Sequence, residues 1–321
     1  MSRKRQSAVA FAPGGVGNIG PGLDILGLAL AGVGDTVRAE WTDSPGIQIL
    51  DPGHPDLPTD PARHTSGLAA RAVIDRASDG RRRKGGIALT ITKGLPLSGG
   101  QGGSAASAVA GAVAVNALLG YPLDRWALVG AALAAEERVS GRHADNIAPA
   151  LLGGIVLIRS LDPLDLVELP VPDELCVVVA RPDQRLRTAE ARSVLPAQVS
   201  RAAAVHQAAQ VGAMVAALAS GDYDLLGRAI DDRIAEPVRT ALLPGFREAK
   251  QAALAAGALG SSISGSGPSA FALVRGHAAG ERVAAAMAAA YTTCGHRSEV
   301  RVAQIDRQGA RVVGESDGGS R

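Results

Sequence analysis

Apolar and polar positions alternate with a period of two at several places along the chain, and each such stretch predicts a strand. Residues 8–12 form a short one that runs into Gly- and Pro-rich sequence. Val37, Ala39 and Trp41 alternate within 36–50, and Ile87, Leu89 and Ile91 do so further on. Between them, prolines at 52, 55, 58 and 61 mark a loop, and 66–77 is apolar at helical spacing. A Gly-rich loop after Thr92 leads into an alanine-rich helix over 104–119, and a second helix is expected near 123–139. Residues 153–158 read as a strand, and the charged, Pro-containing stretch 160–173 as a domain junction. In the second half, 175–180 predicts a strand, then helices near 197–220, 222–236 and 245–257. A strand near 270–274, a helix near 278–291 and a final strand near 299–305 follow, with 316–321 as a disordered tail. Strands interleaved with helices in both halves predict two α/β-type or α+β domains.

A length of 321 residues agrees with two domains. Hydrophobic residues make up 46% but aromatics only 2%, so the core must be built from Ala, Val and Leu. The formal net charge of +2 leaves no basic footprint for a nucleic-acid partner. The one dense basic run, Arg81, Arg82, Arg83 and Lys84, precedes a strand and reads as a solvated turn. Cys176 and Cys294 form no CxxC motif, so a reducing compartment is the default. The N-terminal apolar run is too short for a signal peptide. Residues 94–123 carry no charge, but their Gly and Ala lack the Leu, Ile and Phe character that drives membrane insertion. A buried helix in a cytoplasmic protein is expected.

Candidate chemistry concentrates in three Gly-rich segments. The first, 13–24, contains a GxGxxG string at Gly15, Gly17 and Gly20. A dinucleotide fingerprint needs a helix there, and Pro21-Gly22 opposes one. This segment presents Asn18 and Asp24. The second is Pro96-Leu97-Ser98-Gly99-Gly100-Gln101-Gly102-Gly103-Ser104-Ala105-Ala106, which leaves a strand and enters a helix. Glycines let backbone N–H groups turn toward one point, and a helix N-terminus adds unpaired donors, so this reads as a phosphate cradle without a Walker lysine. The third, 260–269, reads as a tight loop between helix and strand. Three such loops could converge on one polyanion. Two polar clusters complete the set: 136–146, where a carboxylate could hold Mg²⁺ beside Ser104, and Thr188 with Arg192, Arg233 and Arg239.

Together these segments resemble the GHMP kinases. The second is similar to that family's P-x-x-x-G-x-G-S-S-A nucleotide loop, the first to its N-terminal motif and the third to its C-terminal Gly-rich motif. Within the family the likeness is greatest to the branch acting on homoserine. It rests on Asn18-Ile19-Gly20-Pro21-Gly22-Leu23-Asp24, on His143-Ala144-Asp145-Asn146 with the Ile-Ala-Pro-Ala that follows, and on Thr188-Ala189-Glu190-Ala191-Arg192. The resemblance covers about residues 8–310 and implies an α+β GHMP kinase fold. A ribosomal-protein S5 domain-2-like, ATP-binding domain would span 1–160, and a ferredoxin-like domain 161–321. It implies ATP as donor on 96–106, Mg²⁺ at Ser104 and Glu136, and L-homoserine facing Asn18, Asp24, His143, Asn146, Thr188, Arg192 and Arg239. Asp24 suits an ammonium and the two arginines a carboxylate. Direct in-line transfer is expected, with Asn146 orienting the hydroxyl and Asp24 the alternative as a base. A homodimer is left open. Gly103 departs from the family's Ser, Gln101 from its Leu and Leu23 from its Phe. His64 stands where the family has an Asn beside the adenine. One residue fewer separates Glu136 from His143 than in the family, which leaves Glu137 as the rival ligand. The other readings are a sibling kinase for another alcohol and a non-catalytic sensor on the same fold.

Overall fold

The computed structural model describes residues 5–77 and 85–317. The basic run at 81–84 and the last four residues of the expected tail lie outside that range. In chain order the elements begin with β1 (Arg5–Gly17), β2 (Leu26–Thr42), β3 (Gly46–Asp51), α1 (Thr65–Ala77), β4 (Gly86–Thr92), α2 (Gly103–Leu118), α3 (Arg125–Glu137) and α4 (Ile147–Leu152). A hairpin of β5 (Ile155–Leu161) and β6 (Leu164–Leu169) follows, then β7 (Leu175–Pro182), α5 (Thr188–Ser193), α6 (Arg201–Ser220), α7 (Tyr223–Arg228) and α8 (Ala235–Arg239). The chain continues through α9 (Phe246–Ala255), β8 (Gly260–Ile263), β9 (Ala270–Arg275), α10 (His277–Thr293) and β10 (Ser298–Gln304) to β11 (Arg311–Asp317).

The strands form two sheets. The first runs β11-β1-β2-β4-β3, with β5 paired to β2 and β6 to β5, and only the β3–β4 pair is parallel. The second is antiparallel in the order β10-β7-β9-β8. Numbered within that half, this is 4-1-3-2, with helices between strands one and two and between three and four, as in ferredoxin-like folds. The expected α+β class with a ferredoxin-like second half is therefore what forms.

Several expected boundaries shift. A cut at 160/161 would fall inside the β5–β6 hairpin, so the expected junction at 160–173 is largely strand of the first sheet. The chain crosses to the second sheet only between Leu169 and Leu175. Residues 13–17 are the end of a strand rather than a loop, because β1 keeps pairing with β2 past Pro13 through a register shift. Likewise 260–263 is strand β8. The helix expected over 222–236 stops at Arg228, and a new one starts at Ala235, where Asp232 accepts from the backbone N–H groups of Ile234, Ala235 and Glu236. Ser316 and Asp317 end β11 rather than a tail.

Alternation explains the packing. Along β7, Cys176, Val178 and Ala180 meet Phe246 of α9 and Val283 and Met287 of α10. Val177 and Val179, on the opposite face, meet Val16 and Leu28 of the first sheet with Met214 and Leu218 of α6. A third core joins β1, β2 and β4 to α1–α4. Fourteen residues of α2 are buried, which suits a helix apolar all round and rich in Ala. Ala and Gly let α1 approach: a Cβ on Gly111 would lie 3.0 Å from Ser66, whose Oγ donates to the Ser107 carbonyl at 2.8 Å. Among the described residues, α6 alone is long and apolar enough to cross a membrane by length and composition.

Candidate active site

The three Gly-rich segments bond to one another in a ring. Gly15 N donates to Gln101 O at 3.1 Å, joining the first to the second. Ser264 Oγ donates to Gly100 O at 2.7 Å and Ser269 Oγ to Gly99 O at 2.5 Å, joining the third to the second. Gly265 N donates to Gly17 O at 3.1 Å and Asn18 Nδ2 to Gly265 O at 2.8 Å, closing the ring. Gly100 needs to be glycine: its φ is 71°, and a Cβ would lie 2.7 Å from the carbonyl oxygens of both Ser264 and Gly267. Among the described residues five non-glycines have positive φ, and three of them, Asn18, Ile19 and Asp24, fall in one loop. Strain held at that density marks a functional segment.

The second segment enters α2 through Gly102, at φ 69°, and no side chain caps the helix. Its first-turn N–H groups therefore face outward with the positive end of the helix dipole. A charged support lies beneath. Asp35 Oδ1 accepts from Gly94 N at 3.1 Å and Leu95 N at 3.2 Å, and Oδ2 accepts from Ser107 Oγ at 2.6 Å. Lys93 donates to Asp35, to Gly103 O at 3.0 Å and to Ser107 Oγ at 2.9 Å. The sequence alone did not single out this buried set, whose members lie up to 72 positions apart.

Of the eleven residues expected on the nucleotide side, Gly100, Gly102 and Ser104 line one cleft. Glu136, Asn18, His143, Asn146, Thr188, Arg192 and Arg239 line the same cleft. Asp24 joins them through Arg192, whose Nη2 donates to Oδ1 at 2.5 Å and Nη1 to Oδ2 at 3.3 Å. His143 Nδ1 stands 3.5 Å from the same carboxylate, and burial holds this imidazole's pKa below the usual histidine value against the pull of Asp24. Arg239 is only 2% exposed. Its Nε donates to Ala191 O at 3.0 Å and its Nη1 to Gly265 O at 3.1 Å. Arg233, its rival, is exposed and faces Asp231.

Glu136 turns inward at the end of α3, while Glu137 is exposed. Glu136 Oε1 accepts from Ser104 Oγ at 2.7 Å and from Ser140 Oγ; Oε2 is buried without a partner. Burial raises its pKa, with Ser140, Ser104 and Lys93 opposing. One free, buried carboxylate oxygen beside a serine hydroxyl and a phosphate cradle fits Mg²⁺, which takes few protein oxygens. Asn146 packs between Gly17 and Gly102, where a Cβ on Gly102 would come within 2.8 Å of its Oδ1.

Two further residues were not singled out from the sequence as site groups. Asp145 lines the cleft, and burial, then Asp24, push its carboxyl up to about 7. It lay within the quoted motif, but its burial beside Asp24 is visible only in three dimensions. Ser140 was quoted in the same cluster without a role. His64, which stands where the family has an Asn beside the adenine, bonds locally: Nδ1 accepts from Ser66 N at 3.1 Å and Nε2 lies 3.3 Å from Pro52 O. It ties the Pro-rich loop to the start of α1.

Family models for the GHMP kinase N-terminal domain and C-terminal region match residues 65–154 and 214–293. The chain is 44% identical to a homoserine kinase of Chlorobium phaeovibrioides, covering 96% of this chain and all of the relative. It is 42% identical to one from Arabidopsis thaliana, covering 96% and 85%. The chain belongs to the homoserine kinase family of GHMP kinases. A crystal structure of the Cytophaga hutchinsonii homoserine kinase superposes with a TM-score of 0.92 at 40% identity, covering 98% of this chain and 99% of that one. As a member of the homoserine kinase family, the chain is an ATP-dependent kinase acting on an alcohol.

Proposed function

We propose that this chain transfers the γ-phosphoryl group of ATP to the side-chain hydroxyl of L-homoserine, giving ADP and O-phospho-L-homoserine. The observation that carries it is one cleft holding a carboxylate, two guanidinium groups and a phosphate cradle. A zwitterion matches the first three: the ammonium faces Asp24 and the carboxylate faces Arg192 and Arg239. In the structure Asp24 and Arg192 pair with each other, so the substrate replaces one partner of each.

The hydroxyl oxygen bonds to the γ-phosphorus while the bond from that phosphorus to the β,γ-bridging oxygen breaks. First-turn N–H groups of α2 stabilise the charge that develops on the phosphoryl oxygens. Ser104 and Glu136 would hold Mg²⁺, which supplies further charge neutralisation at the phosphates. Asn146 orients the hydroxyl. Because Asp24 is committed to a cation, Arg192 in the free cleft and the ammonium once substrate is bound, it is a poor base. Asp145, in the same cleft and near 7, is the better group to accept the hydroxyl proton as the bond to phosphorus forms.

A coupled ADP-release assay over homoserine, mevalonate, galactose, serine and threonine tests this reading. Homoserine should give the highest kcat/KM. A better rate with another alcohol, and none above background with homoserine, would overturn the substrate assignment.

A further inference from the structure

Gln207 is a buried polar residue on α6, a helix whose other faces are mainly alanine and largely exposed. It does not line the cleft. Its Nε2 donates to Pro21 O at 2.8 Å and to Asp232 Oδ1 at 2.9 Å. Its Oε1 accepts from Arg233 N at 3.2 Å. Pro21 belongs to the strained loop that carries Asn18 and Asp24. Asp232 holds the start of α8, accepting from Ile234 N at 2.8 Å, Ala235 N at 3.1 Å and Glu236 N at 2.8 Å. The last residue of α8 is Arg239. One amide therefore spans the two elements that carry Asp24 and Arg239, the pair facing the amino-acid end of the substrate. Packing removes slack at the same seam, since a Cβ on Gly20 would stand 3.0 Å from Ile230 Cγ2.

We infer that Gln207 is a positioning residue that holds the Asp24 loop and Arg239 together as one grip on the substrate's ammonium and carboxylate, and so fixes the distance from that grip to the phosphate cradle and the length of amino-acid alcohol the cleft accepts. This rests on the reading that the cleft takes such an alcohol. Only glutamine suits the position. Its NH₂ serves two acceptors while its oxygen serves a backbone N–H. Glutamate cannot donate and would set a second carboxylate against Asp232; leucine offers no hydrogen bond; asparagine is one methylene short. The nucleotide loop is held by other bonds, from Ser264 and Ser269, and should not feel the change.

The test compares wild type with Gln207→Leu, Gln207→Glu, Gln207→Asn and, as a control on the same helix, Gln210→Leu. Wild-type turnover of homoserine is read first. Should another alcohol be the true substrate, the substrate reading fails and the comparison proceeds on that alcohol and its homologues. For each variant kcat and KM are measured for both substrates. The ratio of kcat/KM for homoserine to that for its one-carbon-longer homologue, 5-hydroxynorvaline, is measured as well. Gln207→Leu is expected to raise the alcohol KM about tenfold and shrink that ratio several-fold, with the ATP KM within about twofold. Gln207→Glu should be worse, Gln207→Asn intermediate and Gln210→Leu unchanged. In an Arg239→Ala background the Gln207→Leu effect should largely vanish, because the two act through one element. An unchanged length ratio in any folded Gln207 variant, or ATP and alcohol KM values rising together, would show a purely structural residue and overturn the inference. If Gln207→Leu does not fold, Gln207→Asn decides on the same ratio.

Discussion

Asp145→Asn replaces a buried carboxyl by a group of the same shape that cannot ionise. The folded protein holds the Asp145 proton far more tightly than an unfolded chain does, since the carboxyl titrates near 7 instead of 3.8. A raised acid contributes its full share of stability below the unfolded pKa and loses it as pH climbs to the folded one. At 1.36 kcal/mol per pH unit, the gap between 3.8 and about 7 is at most about 4 kcal/mol. Wild type should therefore match the variant near pH 4 and fall behind progressively up to pH 7. Above that the deficit should level off at a few kcal/mol. Urea unfolding of both proteins at several pH values between 4 and 9 measures this, and the difference between them cancels the titrating groups that do not interact with Asp145. The same variant should lose activity, by about 10² or more if Asp145 accepts the hydroxyl proton. A variant no more stable than wild type at pH 8, or a stability difference that does not change with pH, would refute the reasoning.

Glu136→Gln should cut kcat/KM by roughly 10²–10³ and weaken the dependence on Mg²⁺, while Glu137→Gln should leave both within about twofold. Titrating MgCl₂ in the ADP-release assay separates the two, and swapped behaviour would move the metal to Glu137. Arg192→Ala should raise the homoserine KM about thirtyfold, roughly 2 kcal/mol, with the ATP KM within a few-fold; Arg192→Lys should recover only part. 3-Aminopropanol, which lacks the carboxylate, should lose much less rate in the same variant. Gly100→Ala should raise the ATP KM at least about tenfold, because a methyl group there cannot coexist with the two carbonyls of the third loop; a nucleotide-binding isotherm checks it.

What the residues disclosed follows a physical line. Period-two stretches such as 87–91 and the apolar run of α2 were legible because each encodes its own element. β6 and β11 were missed, since short strands with charged residues lack that contrast and exist through their partners β5 and β1. Counting could not separate Glu136 from Glu137; the turn of α3 buries the first beside Ser104 and exposes the second. The local role of His64, whose ring ties the Pro-rich loop to α1, could not be read from its position. Asp35, Lys93 and Gln207 were silent for one reason: their partners lie far away in sequence, and nothing adjacent to them marks a contact.

The pairing of β11 with β1 sets Arg5 opposite Asp317, across nearly the whole chain. Between them the return path is stitched to the first half, with Asp306 N on Ala29 O at 3.0 Å and Gly154 N on Asp306 O at 2.7 Å. On the ribosome, the strand that leads into the Asp24 loop must wait for almost all of the protein to be made before its outer neighbour arrives. Pairing so distant in sequence is slow to form and leaves an edge exposed meanwhile. Newborn chains of this kinase should thus pass through a nearly complete stage with an open sheet edge beside the Asp24 loop, the stage at which a chaperone has most to protect.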